Sequence, residues 1–150
     1  MIRRVGAAPV RNKRHRLRPG VYALLPLDDA LLLTWQSGSD EPLQLPGGGI
    51  DSGEAPVAAL HREVREETGW TIAAPRRFGA WRRFVFMPEY DLWAEKLCTF
   101  YVARPVRRLG PPDEPGHAVR HLQLAKAAAR LSNPVDRAAL GFAHAAGLLG

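Results

Sequence analysis

The stretch "LPGGGIDSGEAPVAALHREVREETGW", residues 45–70, sets three glycines just ahead of a helix-like run crowded with acids. Asp51, Glu54, Glu63, Glu66 and Glu67 lie within it and Glu41 stands just upstream, in a chain whose formal net charge is +6. Carboxylates this close repel one another unless arginines neutralise them or a cation sits among them. Pro56 in a first turn and Gly69 as a stop predict a helix from about Ala55 to Gly69. Val57, Leu60, Val64 and Thr68 recur at spacings of three and four, which predicts one buried stripe. Glu63 and Glu67 border that stripe one turn apart, and Glu66 lies one turn from Glu63 on its other side. Like charges so placed cost an isolated helix about 0.2–0.5 kcal/mol per pair.

Two accounts of these acids compete. In the first, the helix face is simply solvated, with Arg62 pairing Glu66 four residues on and Arg65 serving the rest. In the second, flexible glycine backbone approaches a ligand beside carboxylates that converge on one side of the helix. The loop favours the second. Hard oxygen ligands with no histidine among them suit Mg²⁺ or Mn²⁺ rather than zinc, and such a dication would gather phosphates. Other glycine-loop readings fail on count. A dinucleotide fingerprint needs a glycine where Ser52 stands, no phosphate-loop lysine follows, and the alternating acids of a calcium loop are missing.

Working outward, 150 residues with 46% hydrophobic content fit one compact domain with a real core. No apolar run approaches the roughly 18 residues that cross a bilayer, so a soluble protein without membrane partners is expected. The single cysteine, Cys98, sits in the apolar run "KLCTFYVA" and reads as an inert core thiol, which fits a reducing cytoplasm. The opening "MIRRVGAAPVRNKRHRLRPG" carries seven Arg or Lys and no acid. Residues 1–16 are therefore expected to be a flexible basic arm ahead of a domain at 17–150. A solvated tail is favoured there over a nucleic-acid contact or a targeting peptide. "GVYALLPL" and "DALLLTW" predict a hairpin, "AWRRFVF" and "EKLCTFYVARPV" predict strands around the loop "MPEYDLWA", and "HAVRHLQL" predicts one more. "AKAAARL" and "VDRAALGFAHAAGLL" read as helices separated by "SNP". Strands mixed with helices in this order give an α/β layered domain.

From Gly48 to Trp70 the chain resembles a complete Nudix box. Gly48, five residues, Glu54, seven residues, Arg62-Glu63, apolar Val64, one residue, Glu66-Glu67, one residue, Gly69 and apolar Trp70 fill every fixed position. A weaker similarity extends over about residues 17–145. The resemblance implies the Nudix sandwich, a mixed β-sheet between helices, and hydrolysis of a nucleoside diphosphate linked to another group with the aid of Mg²⁺ or Mn²⁺. It implies Glu66 and Glu67 as metal ligands, the Gly48 carbonyl as a further one, and Glu63 as a ligand or as the base that activates water. Arg62 would orient Glu63, and Glu54 would be a supporting carboxylate or a first-turn partner of the helix dipole. Similar proteins supply an acid from a loop before the last strand, a role that falls to Glu114, with Asp113 as the alternative.

Subfamily signatures are absent: Pro88 and Tyr90 lie too far along for the ADP-ribose and diadenosine-polyphosphate types, and the elements marking NADH and coenzyme A hydrolases are missing. The MutT-like type remains, with a nucleoside triphosphate, preferably a purine one, cleaved to monophosphate and pyrophosphate. By loose alignment Asn133 would read the base edge, against a simpler role as a helix cap before Pro134. Trp93, in its expected loop, is the best candidate among the aromatics to stack on a base. His117 and His121 share a strand face, and a structural role is expected for both. ADP-ribose, nucleotide sugars, dinucleoside polyphosphates and RNA 5′ ends stay open as substrates, as does a non-catalytic nucleotide-binding module. Monomer and homodimer stay open as assemblies.

Overall fold

A computed structural model describes residues 2–150. Among these residues nine strands and three α-helices follow one another. They are β1 (Ile2–Arg4), β2 (Arg16–Leu24), β3 (Pro26–Leu27), β4 (Ala30–Gln36), β5 (Leu43–Gln44), β6 (Gly47–Gly49), α1 (Pro56–Thr68), β7 (Trp70–Met87), β8 (Leu92–Arg108), β9 (His117–Gln123), α2 (Leu124–Arg130) and α3 (Pro134–Ala145). The larger sheet runs β1-β7-β8-β2-β6. Within it β1 is parallel to β7 and β2 to β8, while the β7–β8 and β2–β6 pairs are antiparallel. A smaller antiparallel sheet is built on β4, which pairs with β3, β5 and β9.

Side-chain alternation along the strands decides what covers each face. Val21, Ala23 and Leu25 pack with Ala59, Leu60 and Val64 of α1. Leu24, between them, packs instead with Ala127 of α2 and Val135, Ala139 and Leu140 of α3. β4 repeats the division, sending Leu32 toward α1 and Leu31 and Leu33 the other way. The result is the expected α/β sandwich, a mixed sheet between helices. Leu60 and Leu140 are both at most 1% exposed, and each such leucine stabilises the fold by about 1.5–3 kcal/mol. Cys98 is buried among them, where burial pushes its thiol up to about 11 and keeps it inert. No helix of the described residues is long and apolar enough to cross a membrane.

Four local expectations are corrected. The buried arc of α1 is Ala59, Leu60, Val64, Glu67 and Thr68, whereas Val57 is 43% exposed. The helix is rolled toward its acidic flank, where Gly47 offers Glu67 a backbone N–H. The expected hairpin forms around Asp28-Asp29 between β3 and β4, with Leu32 N–H donating to the Leu25 carbonyl, but the first apolar run divides at Leu25. β2 finds partners on both sides in the larger sheet, and Pro26, with no N–H to donate, opens the short β3. The expected loop around "MPEYDLWA" shrinks to a 3₁₀ turn at Pro88–Tyr90 and Asp91 at φ 48°, so Trp93 lies in a strand.

The basic arm, finally, is not a free tail. Ile2–Arg4 pair in parallel with Ala80–Arg82, Val5 N–H donates to the Arg82 carbonyl, and the His15 ring packs edge-on against Phe84 and Trp93. The outer edge of β7 would otherwise present unpaired backbone groups, and this segment satisfies them.

Candidate active site

The site starts from how α1 ends. Gly69 sits at φ 76°, the left-handed position that suits a residue without Cβ, and its N–H donates to the Arg65 carbonyl to close the helix. Just beyond, Leu109 N–H bonds the Gly69 carbonyl, and the N–H groups of Asp113 and Glu114 both donate to the Glu66 carbonyl, at 2.9 and 3.1 Å. Those bonds hold the "PPDEPG" loop against the acidic end of α1.

At the other end, Ala55 provides no side-chain cap and no acid lies in the first turn, so Glu54 is not a partner of the helix dipole. Its carboxylate instead takes two hydrogen bonds from Arg62, from Nε at 2.7 Å and from the guanidinium at 2.8 Å, and a third from Asp51 N–H at 3.0 Å. The Arg62 bonds, followed by that backbone bond, hold the Glu54 carboxyl down at about 2. Arg62 also donates to Glu63 at 2.9 Å, to Glu66 at 3.2 Å and to the Gly49 carbonyl at 3.1 Å. One guanidinium thus hydrogen-bonds three carboxylates and the glycine strand, and pairs with a fourth carboxylate, Asp51, at 3.5 Å.

The purely solvated account accommodates those three acids but not Glu67. Glu67 is 6% exposed, and Oε1 accepts Gly47 N–H at 2.9 Å. Burial pushes its carboxyl up to about 9, the Gly47 bond only partly opposes this, and Glu63, Glu114 and Asp136 add repulsion. Glu63 is raised as well, because burial outweighs its bond from Arg62. Arg65, assigned to the remaining acids in the solvated account, makes no ion pair among the described residues, and Arg83 draws Glu41 away by a two-bond contact at 2.9 and 3.0 Å.

Two overlapping sets of donors result. Glu63, Glu66 and Glu114 form one, and Glu67, Glu114 and His117 the other, with the ligand atoms of each set within 4.8 Å of one another. Glu114 belongs to both and Asp113 to neither. An oxygen-rich group, buried in part and short of positive charge, fits a hard divalent cation. His117 enters unforeseen: its side chain is 4% exposed, and Nδ1 is hydrogen-bonded to Thr34 Oγ1 at 3.1 Å. His121, on the same strand face, is exposed.

Gly48 is needed for room. A Cβ there would stand 2.5–2.8 Å from the Glu63 carboxylate, so a larger residue would push that side chain out of the cluster. Ile50 N–H donates to the Pro19 carbonyl and Ala23 N–H to the Pro46 carbonyl, so antiparallel alternation turns the Gly48 peptide groups toward Val21. The glycine peptides that engage α1 side chains are the Gly47 N–H and the Gly49 carbonyl.

Beside Gly47–Gly49 opens a cleft of about 820 Å³. Arg83, Lys96 and Arg18 lie in register across β7, β8 and β2 and all line it. Glu41 neutralises Arg83, and Arg18 lies over the Tyr90 ring at 4.8 Å. The sequence gives no sign of this cationic row, because its members come from three separate strands and meet only through their register. Phe86 and Tyr90 are aromatic walls of the cleft, whereas Trp93 packs against Phe86 and His15 behind it. Asn133 caps α3, its side chain accepting Val135 N–H at 2.8 Å, and it does not line the cleft. Asp136, also missed, is 3% exposed and accepts Leu45 N–H at 3.0 Å.

Comparison with known proteins agrees with this architecture. The family described as NUDIX domain matches residues 15–140. An RNA pyrophosphohydrolase of Halorhodospira halophila is 37% identical over 68 residues, 45% of this chain and 38% of that protein. A Bacillus subtilis protein whose name proposes an 8-oxo-dGTP diphosphatase is 42% identical over 55 residues, 36% of this chain and 37% of that protein. The chain thus matches less than two-fifths of the length of either relative. Among solved structures, a NUDIX hydrolase from Nitrosomonas europaea superposes with a TM-score of 0.72 at 20% identity, covering 87% of this chain and 90% of that one. A MutT NUDIX hydrolase from Burkholderia pseudomallei gives 0.66 at 22% identity, covering 85% and 98%.

Proposed function

This chain belongs to the Nudix family, and we propose on that premise that it is a divalent-cation-dependent pyrophosphohydrolase converting nucleoside triphosphates, purine ones preferred, to the monophosphate and pyrophosphate. The observation that carries the reading is Glu67, buried beside Glu63 and Glu114 with no arginine or lysine paired to it among the described residues. Glu63, Glu66, Glu67 and Glu114 would hold Mg²⁺ or Mn²⁺. Such an ion, when bound, neutralises charge developing on phosphate oxygens and lowers the pKa of a water.

The chain's own residues do the rest. Arg62 fixes the carboxylates of Glu63 and Glu66, so they need not reorganise as charge develops. Where Glu63 is left off the ion it is the group to accept a proton from the attacking water, since burial has raised its affinity for one. Arg18 and Lys96 draw the polyphosphate along the cleft, and Phe86 and Tyr90 take the base-stacking role first given to Trp93.

The test is a panel of nucleoside triphosphates, ADP-ribose and a dinucleoside polyphosphate with Mg²⁺ or Mn²⁺, monitored for pyrophosphate and phosphate. Fastest release of pyrophosphate from a purine triphosphate is expected. Equal turnover of all triphosphates with faster cleavage of ADP-ribose or the dinucleotide overturns the substrate assignment.

A second reading, pyrophosphate removal from RNA 5′ ends, draws on the name of the Halorhodospira relative and on the exposed Arg11, Lys13 and Arg14. Because Ile2–Arg4 belong to the sheet, those three are better neutralised together than the arm deleted. A loss of turnover on triphosphorylated RNA alone would favour RNA. An equal effect on RNA and free nucleotide would exclude it.

A further inference from the structure

His117 is the one nitrogen donor among the carboxylates of the site, and its setting resembles that of a ligand more than that of a packed core histidine. It opens β9, directly after the Pro115-Gly116 pair that ends the Glu114 loop, opposite Gln36 of β4. Its side chain is 4% exposed. Thr34, fully buried on β4, hydrogen-bonds Nδ1 at 3.1 Å. The hydroxyl fixes the ring's orientation, and with Nδ1–H donating to Thr34 Oγ1 the lone pair of Nε2 is left to a second partner.

That partner is not a carboxylate in direct contact. Nε2 stands 3.9 Å from Glu114 Oε2, and Nδ1 stands 3.7 Å from Glu67 Oε2. An imidazolium bonded directly to a carboxylate would approach to about 2.7–2.9 Å. A cation about 2.1 Å from each of its ligands separates them by roughly 3 Å when they are adjacent and roughly 4.2 Å when they are opposite. The Nε2 separation from Glu114 falls inside that range, and the ligand atoms of all three residues lie within 4.8 Å of one another. Glu67 is anchored by Oε1 on Gly47 N–H, which leaves Oε2 toward the histidine.

We propose that His117 joins Glu67 and Glu114 as a ligand of a mixed nitrogen-oxygen cation position, distinct from the all-oxygen set of Glu63, Glu66 and Glu114 and bridged to it by Glu114. Imidazole favours first-row transition ions, whereas a set of oxygens alone suits Mg²⁺. The consequence is a preference at this position for Mn²⁺ or a later transition ion. This inference rests on the metal-dependent reading above but reaches beyond it, since that reading needs carboxylates only.

Electron spin-echo spectroscopy of the full chain loaded with Mn²⁺ alone tests it without reference to turnover. Nitrogen modulation of the bound ion with the frequencies of imidazole is expected in the wild type. It should shift when the chain is made with histidine carrying the heavier nitrogen isotope, persist in H121Q and vanish in H117Q. H117Q should also bind Mn²⁺ about tenfold or more weakly, with Mg²⁺ affinity changed by less. Bound Mn²⁺ without imidazole modulation, or modulation surviving in H117Q, overturns the proposal while leaving a carboxylate-only metal hydrolase standing. Failure of the wild type to bind Mn²⁺ at all overturns both. The isotope experiment on the unmutated chain is decisive even if H117Q fails to fold.

Discussion

Glu67 of α1 and Asp136 of α3 are anchored alike and surrounded differently. Each is buried, and each accepts one N–H from the same extended segment, Glu67 from Gly47 and Asp136 from Leu45. The short run from Leu45 to Gly47 is thereby pinned from both faces of the sandwich. Burial raises both carboxyls, Glu67 to about 9 and Asp136 to about 7. The neighbours separate them. Around Glu67 stand the acids Glu63, Glu114 and Asp136; around Asp136, Lys96 and Arg83 oppose the repulsion of Glu41. A backbone anchor alone therefore does not mark a functional carboxylate. What marks Glu67 is repulsion that no arginine or lysine among the described residues relieves, together with ligand atoms of Glu114 and His117 within reach.

The largest expected effect breaks this contrast at Glu67. Glu67→Gln keeps the volume, lets the amide oxygen accept Gly47 N–H and removes the charge. Turnover should fall about a hundredfold or more, the scale seen when a charge-stabilising group is lost from an active site. The metal-free thermal midpoint at pH 7 should hold or rise, because folding no longer has to protonate a carboxyl whose proton affinity burial has raised. Steady-state rates at limiting Mg²⁺ and thermal unfolding read the two outcomes. Wild-type turnover at limiting Mg²⁺ would remove Glu67 from the site.

The contrast also shows what the sequence could and could not reveal. The helix, its stop at Gly69 and the glutamates were legible because their spacing is local: Glu63 and Glu67 are one turn apart wherever a helix forms. The fold class was legible because apolar runs of strand and helix length alternate along the chain. Long-range register was not. Nothing near Arg18, Arg83 or Lys96 announces that three strands bring them into one row. The surroundings of His117 were not legible either, because Thr34 and Glu67 lie 83 and 50 residues away in a chain read locally. Trp93 was misplaced because Pro88 and Asp91 suggest a long loop, whereas the pairing of β7 with β8 continues to Met87 and Leu92. Val57 was misplaced because periodicity gives the width of a buried stripe but not the roll of the helix, which the Glu67–Gly47 bond sets.

Asp136→Asn sharpens the comparison by a smaller amount. A carboxyl raised from 3.8 unfolded to about 7 folded binds its proton more tightly in the folded chain. Its contribution to stability is therefore fully present below about pH 4, is lost as pH rises toward 7, and is flat above that. The loss is on the order of 4 kcal/mol, an upper figure set by the size of the shift. The asparagine can still accept Leu45 N–H and does not titrate. Thermal unfolding between pH 4 and pH 8 should show the wild type losing more stability across the window than the variant, with turnover at pH 7 changed less than threefold, roughly. Equal slopes in the two proteins would mean that Asp136 stays ionised throughout and is neutralised by Lys96 and Arg83.

The smallest expected effect lies at the start of the helix that carries Asp136. Asn133 could read a base edge, since an amide offers both a donor and an acceptor. Its Oδ1, however, already accepts Val135 N–H at 2.8 Å, Pro134 occupies the first helical position where its missing N–H does no harm, and the residue lies outside the cleft lining. A cap of this kind stabilises by about 1 kcal/mol. Asn133→Ala should therefore lower the thermal midpoint by about 2–4 °C in a chain of this size, a shift that follows from the entropy of unfolding. Because the loss is confined to the first turn of α3, on the opposite face of the sheet from α1, the ranking of nucleoside triphosphates by kcat/KM should not change. The two measurements have to be made together, since a fall in stability alone would also accompany a residue that both caps and reads. A ranking that flattens while the midpoint holds within about 1 °C, below the size expected for a lost cap, would show that Asn133 reaches the substrate and that the hydrogen bond to Val135 contributes little.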